Sequence, residues 1–364
     1  MTRVLELLDL LGISIPIIQA PMAGVSSPEM AAAASNAGTL GSIAIGSVGA
    51  EEARKMIAEV RAATPAPFNV NLFCHAPAWR KPEVERCWIE RMTPAFAALG
   101  SKPPSELKEI YRSFVGNGQM LGMLLDMRPP IVSFHFGLPE EEAIRAMRAA
   151  GIVTIATATS PGEARAIEAA GLDAIVAQGW GAGGHRGCFD LDQPDEQLTT
   201  EALTGLLSKQ SSLPVIAAGG IMDGRGIAEM IKLGAAGAQL GTAFLKADES
   251  LADGGYRTAL TEASGRGTVM TRVISGRPAR CLANRFTSLG LAVDEASIPD
   301  YPVAYDLAKS LHAAGRLRGE YGYGPQWAGT GAALARPGST AAIVASLAEE
   351  LRSALAQSPQ GLDE

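Results

Sequence analysis

Eight short apolar runs, each followed by a stretch of helical character, restrict the fold of this chain more than any other feature. The runs are IPIIQAPM (15–22), TLGSIAIG (39–46), PFNVNLF (67–73), PIVSFHF (130–136), IVTIATAT (152–159), DAIVAQG (173–179), PVIAAGG (214–220) and GAQLGTAF (237–244). Strands that alternate with helices pair in parallel, and eight such units in one chain match a (β/α)8 barrel. Boundary signals agree. Ser27 with Pro28 opens a helix ending near Gly38, Ser160, Pro161 and Glu163 form a capping-box pattern for one ending near Gly171, and Asp223 and Gly234 bracket another. The segments NAGTLGSIA (36–44), AAGIVTIAT (149–157) and AAGLDAIVA (169–177) repeat a helix-ending Ala-Gly before a strand, as repeated βα units should.

The pattern breaks twice. Residues 74–129 form a long, partly helical insertion after the third strand, on the side where a barrel carries its reactive groups. Beyond the barrel (1–245), residues 246–364 read as a smaller, mainly helical substrate-cap domain with helical segments at 303–317 and 340–357, parts of which pack back on the barrel. The last seven residues, SPQGLDE, are expected to fray.

Composition narrows the function classes. With 47% hydrophobic and 19% charged residues the chain can bury a large core, which excludes wholesale disorder. A net charge of −7 without any Lys/Arg-rich run argues against a nucleic-acid partner. The uncharged stretches between Asp9 and Glu29 and between Glu29 and Glu51 are broken by Pro16, Pro21 and Asn36, so no membrane span is expected. Glu6 and Asp9 interrupt any apolar leader, which makes the cytoplasm the default location. Cys74, Cys87, Cys188 and Cys281 are scattered without CxxC spacing and read as reduced thiols, with no metal site and no disulfide framework.

The chemistry concentrates at the ends of the runs. Glycine-bearing AAGGI (217–221) and QLGTAF (239–244) follow strands seven and eight, where a barrel builds its phosphate site from exposed backbone N–H groups. A cofactor with one terminal phosphate suits them, and FMN is the usual occupant beside neutral amides. Asn71 and Gln178 offer such amides at the ends of strands three and six, and the tight, apolar APMAG (20–24) can lie under a flat ring. GWGAGG (179–184) fits GxGxxG, but no amphipathic helix follows it, so the dinucleotide reading fails. Its glycines lead instead to His185, an imidazole at the mouth of the barrel. His135 also ends a strand, where it either holds a substrate anion or packs beneath the flavin; His75 and His312 read as structural or solvated.

Together, PIIQAPMAG, NVNLF, QGWGAGGHRG, AAGGI, QLGTAF, YPVAYDLAKSL (301–311) and QWAGTGAALAR (326–336) resemble the nitronate monooxygenase family, formerly called 2-nitropropane dioxygenases. The resemblance implies a (β/α)8 barrel with a small added domain, non-covalent FMN, O2 as electron acceptor and alkyl nitronates such as propionate 3-nitronate as substrates. Carried over by position, it sets FMN against Ala20, Pro21, Met22, Asn71, Gln178, Gly183, Gly219, Gly220, Gln239, Gly241 and Thr242, and the catalytic histidine on His185. It also sets Tyr111, Tyr256, Tyr301, Tyr305 and Lys309 near the substrate entrance. Tyr305 and Lys309 share a helical face, a spacing that a solvated face with one packed tyrosine meets equally well. Two positions depart from the family: Gly181 stands where many members have Glu, and Thr330 where they have Gln.

The leading expectation is therefore FMN-dependent oxidation of nitronates by O2, through one-electron transfer to flavin, to a carbonyl compound and nitrite. An NAD(P)H-dependent reductase of a quinone or enoyl thioester on the same barrel is the runner-up. A phosphate-ligand-binding barrel without redox chemistry is the third reading. Oligomeric state is open.

Overall fold

The computed structural model describes residues 2–357, so the expected fraying of SPQGLDE lies outside the described residues. In chain order the strands are β1 (Ile17–Gln19), β2 (Gly41–Ala44), β3 (Phe68–Phe73), β4 (Ile131–His135), β5 (Val153–Ala158), β6 (Ala174–Gln178), the two-residue β7 (Gly184–His185), β8 (Val215–Ala218), β9 (Gly237–Leu240), β10 (Thr268–Thr271) and β11 (Ala279–Leu282). Eight of them pair in parallel in the order β1-β9-β8-β6-β5-β4-β3-β2. Between the first and last, Gln19 N–H donates to Leu40 O at 2.9 Å and Leu40 N–H to Ile17 O at 3.0 Å, so the sheet closes on itself. This is the (β/α)8 barrel that the alternation predicts, with β8 and β9 as its seventh and eighth strands.

Every barrel strand is shorter than its apolar run, and in all but β3 the last residues of the run leave the sheet toward the mouth. β8 stops at Ala218, where Gly219 (φ 125°) and Gly220 (φ 71°) turn the chain through backbone angles that side chains resist. β9 stops at Leu240, and Thr242–Phe244 winds into a single 3-10 turn. At the helix starts, Ser27 accepts from Met30 N–H at 3.0 Å and Asp223 from Gly226 N–H at 2.8 Å. The Ser160 capping box is only half made. Ser160 accepts from Glu163 N–H, but the Glu163 carboxylate takes the Thr159 N–H and hydroxyl and the Phe189 N–H rather than closing back on Ser160. The carboxylate is spent on tying the loop after β6 to this helix.

Outside the barrel the insertion and the C-terminal addition share one core. The Pro82–Ala98 helix supplies Trp88, Met92 and Phe96, and the Val303–Arg316 helix supplies Leu307, Ala308 and Leu311. A fully buried side chain of this size contributes roughly 1.5–3 kcal/mol, so several of them hold the two segments together. Backbone contacts reinforce the seam, with Asp300 accepting from Trp79 N–H at 3.0 Å and Asp306 from Lys108 N–H at 2.9 Å. The Thr340–Ala356 helix packs against the barrel helix Gly224–Lys232, where a Cβ on Gly224 would stand 2.1 Å from Leu351 N.

One part of the addition differs from its mainly helical reading. β10 and β11 form an antiparallel ribbon, and β7 joins its edge with Ala279 opposite His185 and Arg280 opposite Gly184. Segments of two to four residues are too short to display a two-residue period, which is why the sequence hid them.

Candidate functional site

A cavity opens at the carboxyl ends of the barrel strands, with about 1320 Å³ of non-atom space when its open mouth is included. Of the residues singled out from sequence, Ala20, Pro21, Met22, Asn71, Gln178, Gly183, Gly219, Gly220, Gln239, Gly241 and Thr242 all line it, and so do Tyr111, His135, His185, Tyr256, Tyr301 and Tyr305. Lys309 does not. Its ammonium lies behind the wall, 4.8 Å from the centre of the Tyr111 ring and 5.7 Å from that of Tyr305.

One end of the cavity is a backbone cradle. A Cβ on Gly219 would stand 2.9 Å from Ala182 N, and one on Gly183 2.5 Å from Gly329 N, so the loops approach one another only because these residues lack side chains. The amides of Gly220, Gly241 and Thr242 have no acceptor among the described residues. The Thr242 hydroxyl accepts from Gly329 N–H at 3.0 Å and keeps its own hydrogen for a ligand. Unpaired donors converging on one point suit a phosphate. Gly181 and Thr330 meet here: a Cβ on Gly181 would stand 3.0 Å from Thr330 Oγ1, and one on Gly220 2.9 Å from the same oxygen.

In the middle of the cavity stand the amides. Asn71 donates through Nδ2 to Ser133 Oγ at 3.0 Å; among the described residues its carbonyl oxygen has no donor and Gln239 makes no side-chain hydrogen bond. Both have capacity for a ligand. Gln178 is different. Its Oε1 accepts from Gly187 N–H at 2.8 Å and from the Arg186 guanidinium, and its Nε2 donates to the His185 carbonyl at 2.9 Å. The amide expected to serve the cofactor is thus largely committed to shaping the loop that carries His185.

His185 sits between the barrel and the ribbon. Its backbone pairs with Ala279, its carbonyl accepts from Gln178, and His135 Nε2 lies 3.2 Å from the same carbonyl. The ring stands edge-on to Tyr301 at 5.4 Å and to Phe136 at 5.7 Å, and tilted against Trp327 at 4.9 Å between centroids. Nε2 lies 2.9 Å from Ser275 Oγ, while Nδ1 has no partner among the described residues. Burial, reinforced by the Arg277 charge, holds the His185 ring well below the usual histidine range, and the same two causes lower His135 to about 3 and His75 to about 4. All three imidazoles are neutral at physiological pH.

The far wall is aromatic. Tyr111 comes from the insertion, and Tyr301 and Tyr305 from the cap, with ring centroids 6.4 and 5.8 Å from that of Tyr111. Tyr305 Oη accepts from Trp327 Nε1–H at 3.2 Å, and Tyr256 Oη donates to the Trp327 carbonyl. Burial raises all four phenols, which therefore keep their protons and remain donors. No Asp, Glu, Lys or Arg lines the cavity. Directly behind the wall, the buried Arg277 guanidinium stacks 4.2 Å from the centre of the Phe136 ring. It donates to the carbonyls of Arg186 and Cys188 and has no carboxylate within salt-bridge distance among the described residues. An uncompensated buried cation favours an anion nearby.

Sequence reasoning missed Ser133, Phe136, Ser275, Arg277 and, as a site residue, Trp327. Ser133 and Phe136 lay within the run PIVSFHF (130–136) and Trp327 within QWAGTGAALAR (326–336), but as parts of a strand and a motif; Ser275 and Arg277 carry no local pattern that points to a cavity.

A family model described as nitronate monooxygenase matches residues 5–350 of this chain. The nitronate monooxygenase of Paraburkholderia phytofirmans is 53% identical over 351 residues, 96% of each chain. That of Pseudomonas aeruginosa is 51% identical over 343 residues, 94% of this chain and 98% of the other. Among solved structures, a nitroalkane oxidase from Streptomyces ansochromogenes superposes with a TM-score of 0.88 at 39% identity, over 96% of this chain and 99% of that one. FabK from Thermotoga maritima is less similar, with a TM-score of 0.73 at 28% identity, over 96% and 97%.

Proposed function

The chain belongs to the nitronate monooxygenase family of oxidoreductases, and from that premise we propose that it uses FMN and O2 to oxidise alkyl nitronates such as propionate 3-nitronate to a carbonyl compound and nitrite. The observation that carries the reading is the combination at the aromatic end: a neutral His185 with a free Nδ1, phenol donors around it, no carboxylate on the wall, and the unpaired Arg277 charge behind Phe136. That is a pocket for a small anion.

FMN fits the remaining space. Gly219, Gly220, Gly241 and Thr242 would hold its phosphate, Asn71 and Gln239 would take its polar edge, and Ala20, Pro21 and Met22 would lie along its ring. When bound, FMN supplies the electron-accepting chemistry that no side chain here provides. His185 orients the substrate and hydrogen-bonds its anionic nitro oxygens. A nitronate has already lost its carbon-bound proton, so no base is needed for it; with a neutral nitroalkane, His185 Nδ1 would accept that proton. Tyr111, Tyr301 and Tyr305 exclude bulk water from the reacting atoms.

The test is direct. Purified protein should be yellow, release FMN rather than FAD on heat denaturation, and form nitrite while consuming O2 with a nitronate. Release of FAD, or no flavin after reconstitution, would remove the cofactor assignment. Rapid flavin reduction by NADH without nitronate turnover would select the reductase reading instead.

A further inference from the structure

Ser275, on the segment between β10 and β11, is fully buried and carries a single hydroxyl hydrogen. Two acceptors compete for it: His185 Nε2 at 2.9 Å and the Arg277 carbonyl oxygen at 3.2 Å. The Arg277 amide nitrogen lies 3.4 Å from the same Oγ, as a donor. Among the described residues nothing else hydrogen-bonds the His185 ring.

Resting on the function proposed above, we infer that Ser275 is a positioning residue whose hydroxyl rotation sets the tautomer of His185 to match the charge of the substrate. In one state the hydroxyl donates to the Arg277 carbonyl, and Oγ accepts the Nε2–H of His185. Nδ1 then presents a bare lone pair, suited to taking a proton from a neutral nitroalkane. In the other state the hydroxyl donates to Nε2, while Oγ still accepts from the Arg277 N–H. Nδ1 then carries the proton and donates it as a hydrogen bond to an anionic nitronate oxygen.

Ser275 is satisfied in both states, but the buried Arg277 carbonyl gives up its donor in the second, a cost that the hydrogen bond from Nδ1 to an anionic nitronate oxygen offsets, so that state forms with the anion and not without it. Charge balances as well. Both states hold one proton on the ring and one on Ser275: the ring takes a proton from cavity water at Nδ1 and, in a transient break of the Ser275 contact, returns the Nε2 proton to water, so that the ring is neutral at either end. A charged imidazolium would serve an anion too, but burial and the adjacent Arg277 disfavour it. Backbone pinning by Ala279 and the carbonyl contacts of Gln178 and His135 fix where the ring stands, which leaves its protonation pattern as the free variable.

The experiment uses the FMN-loaded protein labelled with 15N-histidine, whose four histidines give few resonances. Free wild type should show His185 in the Nε2–H form. Saturation with nitrite, a small anion bearing the same two oxygens, should convert it to the Nδ1–H form. Ser275→Ala should show a tautomer mixture without nitrite, no conversion with it, and a loss of roughly 10- to 100-fold in kcat/KM for the nitronate, the scale of one charge-assisted hydrogen bond. FMN content should be unchanged, and Ser275→Thr should restore the conversion. Should the alanine variant fold poorly, Ser275→Cys keeps the size and lacks a strong donor. One unchanged tautomer in free and nitrite-bound wild type, or nitronate kinetics within twofold of wild type in Ser275→Ala, overturns the inference. If wild type neither binds nitrite nor consumes nitronate, the functional reading has failed, and the free-protein tautomers of wild type and Ser275→Ala alone decide the role of Ser275.

Discussion

The floor of the cavity, laid by the loops after β1, β3, β8 and β9, and its roof, built from the insertion and the cap, enclose the same space by different means. The floor works through backbone: glycines at positive φ, unpaired amides, and segments adjacent in the sheet. The roof works through large side chains from distant parts of the chain, with Tyr111 and Tyr305 nearly two hundred residues apart yet edge-to-face at 5.8 Å between centroids. Gly183 and Gly219 leave no room for an added atom, because a Cβ there would meet main chain at Gly329 N and Ala182 N. A roof of packed rings can lose one hydroxyl and keep its shape. Substitutions in the two regions should therefore fail differently, the floor by releasing its ligand and the roof by altering substrate kinetics.

His185 stands where the two regions join, which makes it the largest expected effect. It follows the strand β6 of the barrel but pairs through β7 with the cap strand β11. Removal of a general base costs roughly 10²–10⁴-fold, so His185→Asn should nearly abolish turnover of a neutral nitroalkane and spare part of the nitronate activity. Steady-state kinetics with both substrate forms, at matched flavin occupancy, checks this. Wild-type rates with both would make His185 structural and move attention to His135.

Next in size comes the floor alone. Gly219 has φ 125°, and a Cβ there would press on Ala182 N and on Thr200 Oγ1, 2.8 Å away. Gly219→Ala should cost about 1–3 kcal/mol in backbone strain and displaced loops, equivalent to roughly 5- to 150-fold in cofactor affinity if it falls on the bound state. Flavin content per chain and melting temperature are the readouts. Full occupancy with an unchanged melting temperature would show that the loop yields, and the rigid-floor picture would go with it.

The same contrast explains what the sequence disclosed. Barrel strands were legible because an apolar run and a preceding Ala-Gly are local signals, and Gly219-Gly220 because a turn there needs glycine whatever lies across from it. Ser275 and Arg277 were not legible. The serine meets His185 across 90 positions, and the arginine reaches the Cys188 carbonyl across 89, through a ribbon too short to announce itself. Gln178 marks the boundary between these cases: its place at a strand end was readable, but the direction of its amide depends on Arg186 and Gly187 folding back toward it.

The smallest expected effect tests the roof alone. Tyr305 Oη accepts from Trp327 Nε1–H and retains its own hydrogen, which burial keeps in place. Tyr305→Phe removes that donor and leaves the indole N–H unpaired, while the ring keeps its packing against Tyr111 and His185. A neutral hydrogen bond contributes about 0.5–1.5 kcal/mol, so kcat/KM for the nitronate should fall by roughly two- to tenfold. The loss should fall mainly on KM, since the hydroxyl is one of the phenol donors around the anion pocket and transfers no proton. FMN content should not move, because Tyr305 belongs to the roof and the cradle to the floor. Kinetic constants equal to those of wild type would reduce Tyr305 to a packing residue, and a loss of flavin would show that roof and floor are not separable.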